Sequence, residues 1–269
     1  MDKQEHILYV VVGKTITSLA IPQLDRPLGA RKVVRTLTKN LQTNFAIEFP
    51  LLVKQLIGEK IDEVYICSVT PSLNKTIKYY FENQEVPITF LTNQNQDVLD
   101  LTKLYNSWDL GADLIAQLIY ITHFFKEAIV VSLGTITAIY HTQDNALNGV
   151  VLLPGIKGSL NYLEQVMDIK LLDLKSEEEK LLGLSNQEAI SLGLINTVEI
   201  VVDNLVQKLG TKCPIIYSGG NSYYFHNKNW WHIEDLDLLG LYIFGRQKIF
   251  NKKLLHDQCP EDCHEHEKT

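Results

Sequence analysis

Long apolar runs are missing from these 269 residues. No segment approaches the roughly 20 consecutive apolar residues that a bilayer-spanning helix needs. The first apolar run, Ile7–Val12, is only six residues long and no small-residue cleavage pattern follows it, so it does not read as a secretion signal. Positive charge is in deficit: 25 Lys and Arg face 32 Asp and Glu, for a net charge of −7. The basic residues are also scattered, which argues against a nucleic-acid or membrane partner, since both need a basic surface. Cysteine is scarce. Of the four, Cys67 and Cys213 sit in the strand-like runs VYICSV and KCPIIYS, as buried free thiols do, and no spacing suggests a disulfide framework. A cytoplasmic, reducing setting is the expectation.

What is present is ordinary globular material, with 45% hydrophobic and 21% charged residues, enough for two modest domains or one large one. Residues 7–12, then TITSLAI, then 32–37 read as three strands. FPLLVKQLIGEK reads as an amphipathic helix, and IDEVYICSV as a buried strand entered from Gly58 as the helix cap. Pro71 opens a second helix in a position that tolerates it, and 86–92 is another strand. The scheme then recurs. GADLIAQLIYITHFF is an apolar helix, EAIVVSLGTITAIYHT a strand–turn–strand, and NGVVLLPG a third strand. Helical patterns follow at Ile156–Met167 and Asn186–Leu209, then the strand CPIIYSGG and a closing helix, DLDLLGLYIFGRQ. The pair VVVGKTITSLAI and VVSLGTITAIYH, about 120 residues apart, marks an internal duplication of an α/β unit.

Gly13-Lys14-Thr15 invites a P-loop reading, which fails on both flanks. The first glycine of G-x-x-x-x-G-K-[ST] falls on Leu8, and β-formers rather than a helix follow Thr15. A β-hairpin turn remains, in which Gly13 supplies backbone freedom while exposed amides and the Thr15 hydroxyl face a phosphate. Two such turns facing each other across a cleft could hold a nucleoside triphosphate. They could equally be plain hairpin turns of a duplicated fold. Other chemistry is absent: the eight histidines form no H-E-x-x-H, and Ser218 before Gly219-Gly220 is no G-x-S-x-G elbow.

Seven motifs, in order, resemble those of the type III pantothenate kinases, within the superfamily of acetate and sugar kinases, Hsp70 and actin. They are Val11-Val12-Gly13-Lys14-Thr15, Ser68-Val69-Thr70-Pro71, Tyr105 with Gly111-Ala112-Asp113-Leu114, Ser132-Leu133-Gly134-Thr135-Ile136, Asn148 through Gly155, Ser218-Gly219-Gly220, and Leu236-Asp237-Leu238-Leu239-Gly240-Leu241. The resemblance implies two RNase H-like domains of mixed sheet and flanking helices, 1–110 and 111–250, followed by a polar tail, 251–269. It also implies ATP-dependent phosphorylation of pantothenate on the way to coenzyme A, with Mg²⁺ and a monovalent cation such as K⁺, by a homodimer. Asp113 is then the catalytic base. Gly13, Lys14, Thr15, Gly134, Thr135, Gly219 and Gly220 surround the nucleotide phosphates. Tyr105, Gly111, Ala112, Asp113 and Asn186 line the pantothenate site, and Ser132 marks the monovalent-cation position.

The chain departs from the family pattern where charge is needed. Val11 and Ser132 stand in place of the two motif aspartates, Leu114 in place of an arginine, and Lys14 in place of an asparagine. Lys14 can meet phosphate as a point charge, partly replacing what is lost. Losing a carboxylate, a cation ligand and an arginine together costs several kcal/mol of transition-state stabilisation, at about 1.36 kcal/mol per tenfold in rate. Two functions therefore stand open: a divergent kinase, or a degenerate relative that keeps the dimeric fold as a binding or regulatory protein. In the tail, His256, Cys259, Cys263, His264 and His266 have the residue types of a zinc site, although a mobile terminus is the plainer expectation.

Overall fold

The computed structural model describes residues 6–22, 31–58, 60–103, 110–170, 182–225 and 227–257. Two five-stranded sheets organise them. The first contains β1 (Ile7–Val12), β2 (Ile16–Pro22), β3 (Arg31–Leu37), β4 (Glu63–Ser68) and β5 (Ile88–Phe90), in the order β3-β2-β1-β4-β5. The second contains β6 (Glu127–Leu133), β7 (Ile136–Gln143), β8 (Ala146–Pro154), β9 (Ile215–Ser218) and β10 (Trp231–His232), in the order β10-β9-β6-β7-β8. In each, three antiparallel strands form a meander, and the first of them then pairs in parallel with the fourth. Read from the meander edge, the two orders are the same. The chain is two duplicated RNase H-like units.

The continuous apolar runs of β1 and β6 follow from burial on both faces. Leu8, Val10 and Val12 point into a core with α1 (Thr38–Leu56) and α2 (Pro71–Glu82). Ile7, Tyr9 and Val11 point the other way, into a core with α3 (Ala112–Phe124) and α6 (Leu236–Asp257). In the second unit Ile129, Val131 and Leu133 meet α4 (Ile156–Met167) and α5 (Asn186–Leu209), while Ala128 and Val130 meet α3. Helix α3 is thus wedged between the two sheets. Helix α6, the last element among the described residues, lies back over β1 and β4 of the first. The two helices touch backbone to backbone: a Cβ on Gly240 of α6 would overlap the Ala116 carbonyl of α3.

The helix expected from FPLLVKQLIGEK begins eleven residues earlier, at Thr38, and continues through Pro50, with a non-helical kink at Asn44. Its cap is Ile57 rather than Gly58. Helix α6 runs past the expected tail boundary, to Asp257. Helix α5 is long and apolar enough to cross a membrane by length and composition, with a mean hydropathy of 1.5 over its richest stretch, contrary to the expectation that no segment approaches that limit. Ile190, Ile195, Val198 and Val202 pack it against β6 and β9, as the core helix of the second unit. Cys259, Cys263, His264 and His266 lie outside the described residues, as does Tyr105.

Candidate active site

The two repeated turns are fixed from behind. The Gly13 amide donates to the Ile16 carbonyl at 3.0 Å, closing the β1–β2 hairpin. The Gly13 carbonyl accepts from the hydroxyls of Thr38, at 2.9 Å, and Thr70, at 3.1 Å. Both threonines sit at helix starts, Thr38 as the first residue of α1 and Thr70 just ahead of α2, so the turn is tied to both helices. The side chains of Lys14 and Thr15 are left exposed. In the second unit the Gly134 amide donates to Ile136 at 3.2 Å, and the Gly134 carbonyl accepts from Asn221 Nδ2 at 2.8 Å. Gly219 passes so close to Leu133 that a Cβ would lie 2.6 Å from its carbonyl oxygen, and its φ of 104° admits little but glycine. Gly220 follows with open space around it, and Gly155 leaves no room for a side chain against Gly134 and Thr135.

The turns meet. Thr15 Oγ1 and Thr135 Oγ1 lie 2.9 Å apart, one hydroxyl donating to the other across 120 residues of chain. Gly13, Lys14, Thr15, Gly134, Thr135, Gly219 and Gly220, chosen from sequence, thereby fall around one point between the sheets.

Two carboxylates stand at this junction. Asp113 lies in the first turn of α3, where its Oδ1 accepts the Leu114 amide at 2.8 Å. Gly111 leaves space for it: a Cβ there would sit 2.5 Å from Asp113 Oδ1 and 3.4 Å from Val69, the residue leaving β4. Burial raises the Asp113 pKa, opposed by backbone amides and by the positive charge of Lys14. Asp237 lies in the first turn of α6, its Oδ1 accepting the Leu238 amide at 2.8 Å. Burial, with the like charges of Asp235 and Asp113, raises its pKa to about 6. Asp235 in turn receives Arg35 Nη2 of β3 at 2.6 and 2.5 Å, which joins the start of α6 to the first sheet. Burial pushes the Cys67 thiol pKa up, and the nearby charges of Asp113 and Asp237 add to the rise. Sequence reasoning missed Asp237. Its signal was a carboxylate at the first variable position of the L-x-L-x-G-L motif, opening an otherwise apolar helix.

Other candidates fall differently. Val11 is buried in the apolar cluster between β1, α3 and α6, and its sheet neighbours in register are Ser18 and Cys67. Ser132 lies between Ala138 and Ser218 near the end of β6. Leu114 packs into the core beneath α3. Asn186 opens α5 beside its cap Ser185, whose hydroxyl accepts the Glu188 amide at 3.2 Å. A hard cation such as Mg²⁺ takes oxygen ligands, and Val11 offers none. The carboxylates that interact with one another here are Asp113 and Asp237, and Asp113 also feels the charge of Lys14 in the first turn.

Comparison with known proteins decides the ancestry. The family profile described as type III pantothenate kinase matches residues 7–208, three quarters of the chain. The chain belongs to the type III pantothenate kinase family. A type III pantothenate kinase of Mycoplasma mobile is 30% identical over 190 residues, spanning 68% of this chain and 77% of its own. That of Thermosipho melanesiensis is 27% identical over 242 residues, or 87% of this chain and 95% of its own. Among solved structures, a Baf family protein from Campylobacter jejuni superposes with a TM-score of 0.60 at 14% identity, over 90% of this chain and 99% of that one. The ethanolamine utilization protein EutJ from Carboxydothermus hydrogenoformans gives 0.54 at 11%, over 90% and 91%. At such identities the structures speak for the fold alone, that of the actin-like ATPase superfamily to which type III pantothenate kinases belong.

Proposed function

We propose that this family member phosphorylates the primary hydroxyl of pantothenate with ATP, yielding 4'-phosphopantothenate for coenzyme A synthesis in the cytoplasm. The observation that carries this reading is Asp113, a largely desolvated carboxylate that feels the charge of Lys14 in the first glycine turn, the turn that meets the second through Thr15 and Thr135. The turns present Gly13, Lys14, Thr15, Gly134 and Thr135 to the β- and γ-phosphates, with Lys14 as the point charge. Asp113 takes the hydroxyl proton as the oxygen attacks the γ-phosphorus and ADP departs. Its raised pKa makes it a stronger base than an exposed aspartate, while the Lys14 charge helps keep it ionised. Mg²⁺ would supply charge neutralisation on the transferring phosphoryl group, with Asp237 as the carboxylate to hold it in place of the one that Val11 lacks. A monovalent cation such as K⁺ would sit near Ser132.

A second copy of the chain would cover α4, where Tyr162 and Val166, one turn apart, are 64% and 63% exposed. They leave an apolar stripe along α4 suited to a homodimer.

Val11 favours a second reading, in which the chain binds nucleotide and pantothenate without turning them over. Pantothenate-dependent ADP release by the purified protein, across a range of Mg²⁺ and K⁺, separates the two. The kinase reading expects turnover that falls about 10²–10⁴-fold in Asp113→Asn while nucleotide still binds. A folded wild-type protein that binds ATP and releases no ADP establishes the second reading.

A further inference from the structure

At the far end of the second sheet from the turns, Glu127, His141 and Cys213 converge, and neither the fold nor the kinase chemistry requires them to. Glu127 opens β6, His141 lies near the end of β7, and Cys213 precedes β9 by two residues. The register explains the meeting. Ile129 stands opposite both His141 on β7 and Ile215 on β9, and Glu127 and Cys213 each lie two residues earlier, on the same face. One ligand atom from each of the three lies within 4.8 Å of the others, and all three residues are partly buried. His141 Nε2 is 3.0 Å from Glu127 Oε1. Its Nδ1 is 3.1 Å from the Asn148 side-chain amide, which is held in turn by Lys103 Nζ at 2.5 Å.

We propose that Glu127, His141 and Cys213 form a binding site for a borderline transition cation, zinc in the first instance. A thiolate, an imidazole and a carboxylate suit zinc and exclude magnesium and calcium, which take oxygen ligands. Three protein ligands leave the fourth tetrahedral position to water. Binding displaces the thiol proton of Cys213 to solvent and breaks the His141–Glu127 contact, giving one atom of each residue to the metal. With Nε2 on the metal the imidazole proton resides on Nδ1, and Asn148 turns its amide oxygen to accept it, fixing the ring from behind. The site lies about 16 Å along β6 from Ser132, at about 3.3 Å per residue, so it is separate from the phosphate turns. Its effect is structural: it fastens the entry of β9 to β6 and β7.

The test uses the full chain, reduced, stripped with chelator and titrated with Co²⁺ alone. A site with a cysteine ligand produces a thiolate-to-cobalt charge-transfer band in the near ultraviolet and the visible bands of tetrahedral cobalt. Saturation at one equivalent and bleaching by Zn²⁺ are expected. Cys213→Ser abolishes the charge-transfer band, and His141→Gln weakens cobalt binding at least tenfold. The double variant Cys259→Ser/Cys263→Ser retains the band, separating this site from the cysteine- and histidine-rich tail. Absence of the band in wild type, its survival in Cys213→Ser, or its loss in the tail double variant overturns the proposal. The tail arm leaves the second sheet untouched, so it decides the question even where Cys213→Ser folds poorly.

Discussion

Asp237→Asn is expected to stabilise the protein at neutral pH and leave it unchanged in acid. In the folded chain the carboxyl titrates at about 6, against its ordinary 3.8. The folded state therefore holds this proton more tightly than the unfolded state does. Between those two values the folded protein carries more bound protons, so stability falls as pH rises through the window and levels off above about 6. At about 1.36 kcal/mol per pH unit, the gap is about 3 kcal/mol, a ceiling because part of the repulsion comes from Asp113 and Asp235, whose own ionisation follows the same rise in pH. Asparagine keeps the shape and the carbonyl oxygen that accepts the Leu238 amide, and it removes the charge. Urea unfolding at constant slope should show the variant up to about 3 kcal/mol more stable at neutral pH, with a melting point higher by roughly 6–12 °C. Below about pH 3, under both values, the two proteins should coincide. Equal stability at neutral pH, or a gain in acid as large as at neutrality, refutes the placement of this carboxylate. Turnover should move the opposite way, since a charge kept at such a cost is one that function holds there.

Three further outcomes follow from the geometry. Gly240→Ala forces α6 away from the Ala116 carbonyl and should cost about 1–3 kcal/mol, read as an earlier urea midpoint. Lys14→Ala removes the positive charge that lowers the Asp113 pKa, so the acidic limb of the pH–rate profile should move to higher pH while the KM for ATP rises about tenfold. An unmoved limb means that Asp113 is not the base. Val166→Asp places a charge in the exposed apolar stripe of α4 and should convert a dimer to a folded monomer by light scattering, with the far-ultraviolet spectrum unchanged.

Legibility in the sequence tracked how local the cause was. The ends of α4 and α5 were readable because Pro154-Gly155 and Ser185 mark their starts and the apolar period continues to Met167 and Leu209. The Gly-Thr turns were readable because strand formers flank both. The beginning of α1 was hidden, since TKNLQTNFAIE is polar and kinks at Asn44; its place is set by Thr38, which bonds the Gly13 carbonyl of another element. The extension of α6 was hidden by the polar NKKLLHD that forms its last turns. Asp237 could not be recognised as a partner of Asp113, because the closeness of two helices 124 residues apart depends on Gly240 lying against Ala116. The Glu127–His141–Cys213 group was invisible for a similar reason: three strands must pair in one register before the residues share a face.

That contact at Gly240 also bears on how this chain can be altered. Because α3 and α6 touch through their backbones, the gap between their first turns is an architectural dimension, insensitive to which side chains occupy the site. Substitutions at Val11, Leu114 and Ser132 can be made one at a time against a constant frame. The molecule is thus a ready chassis: a charge can be placed at each position singly, and any change in rate read as that charge's own contribution.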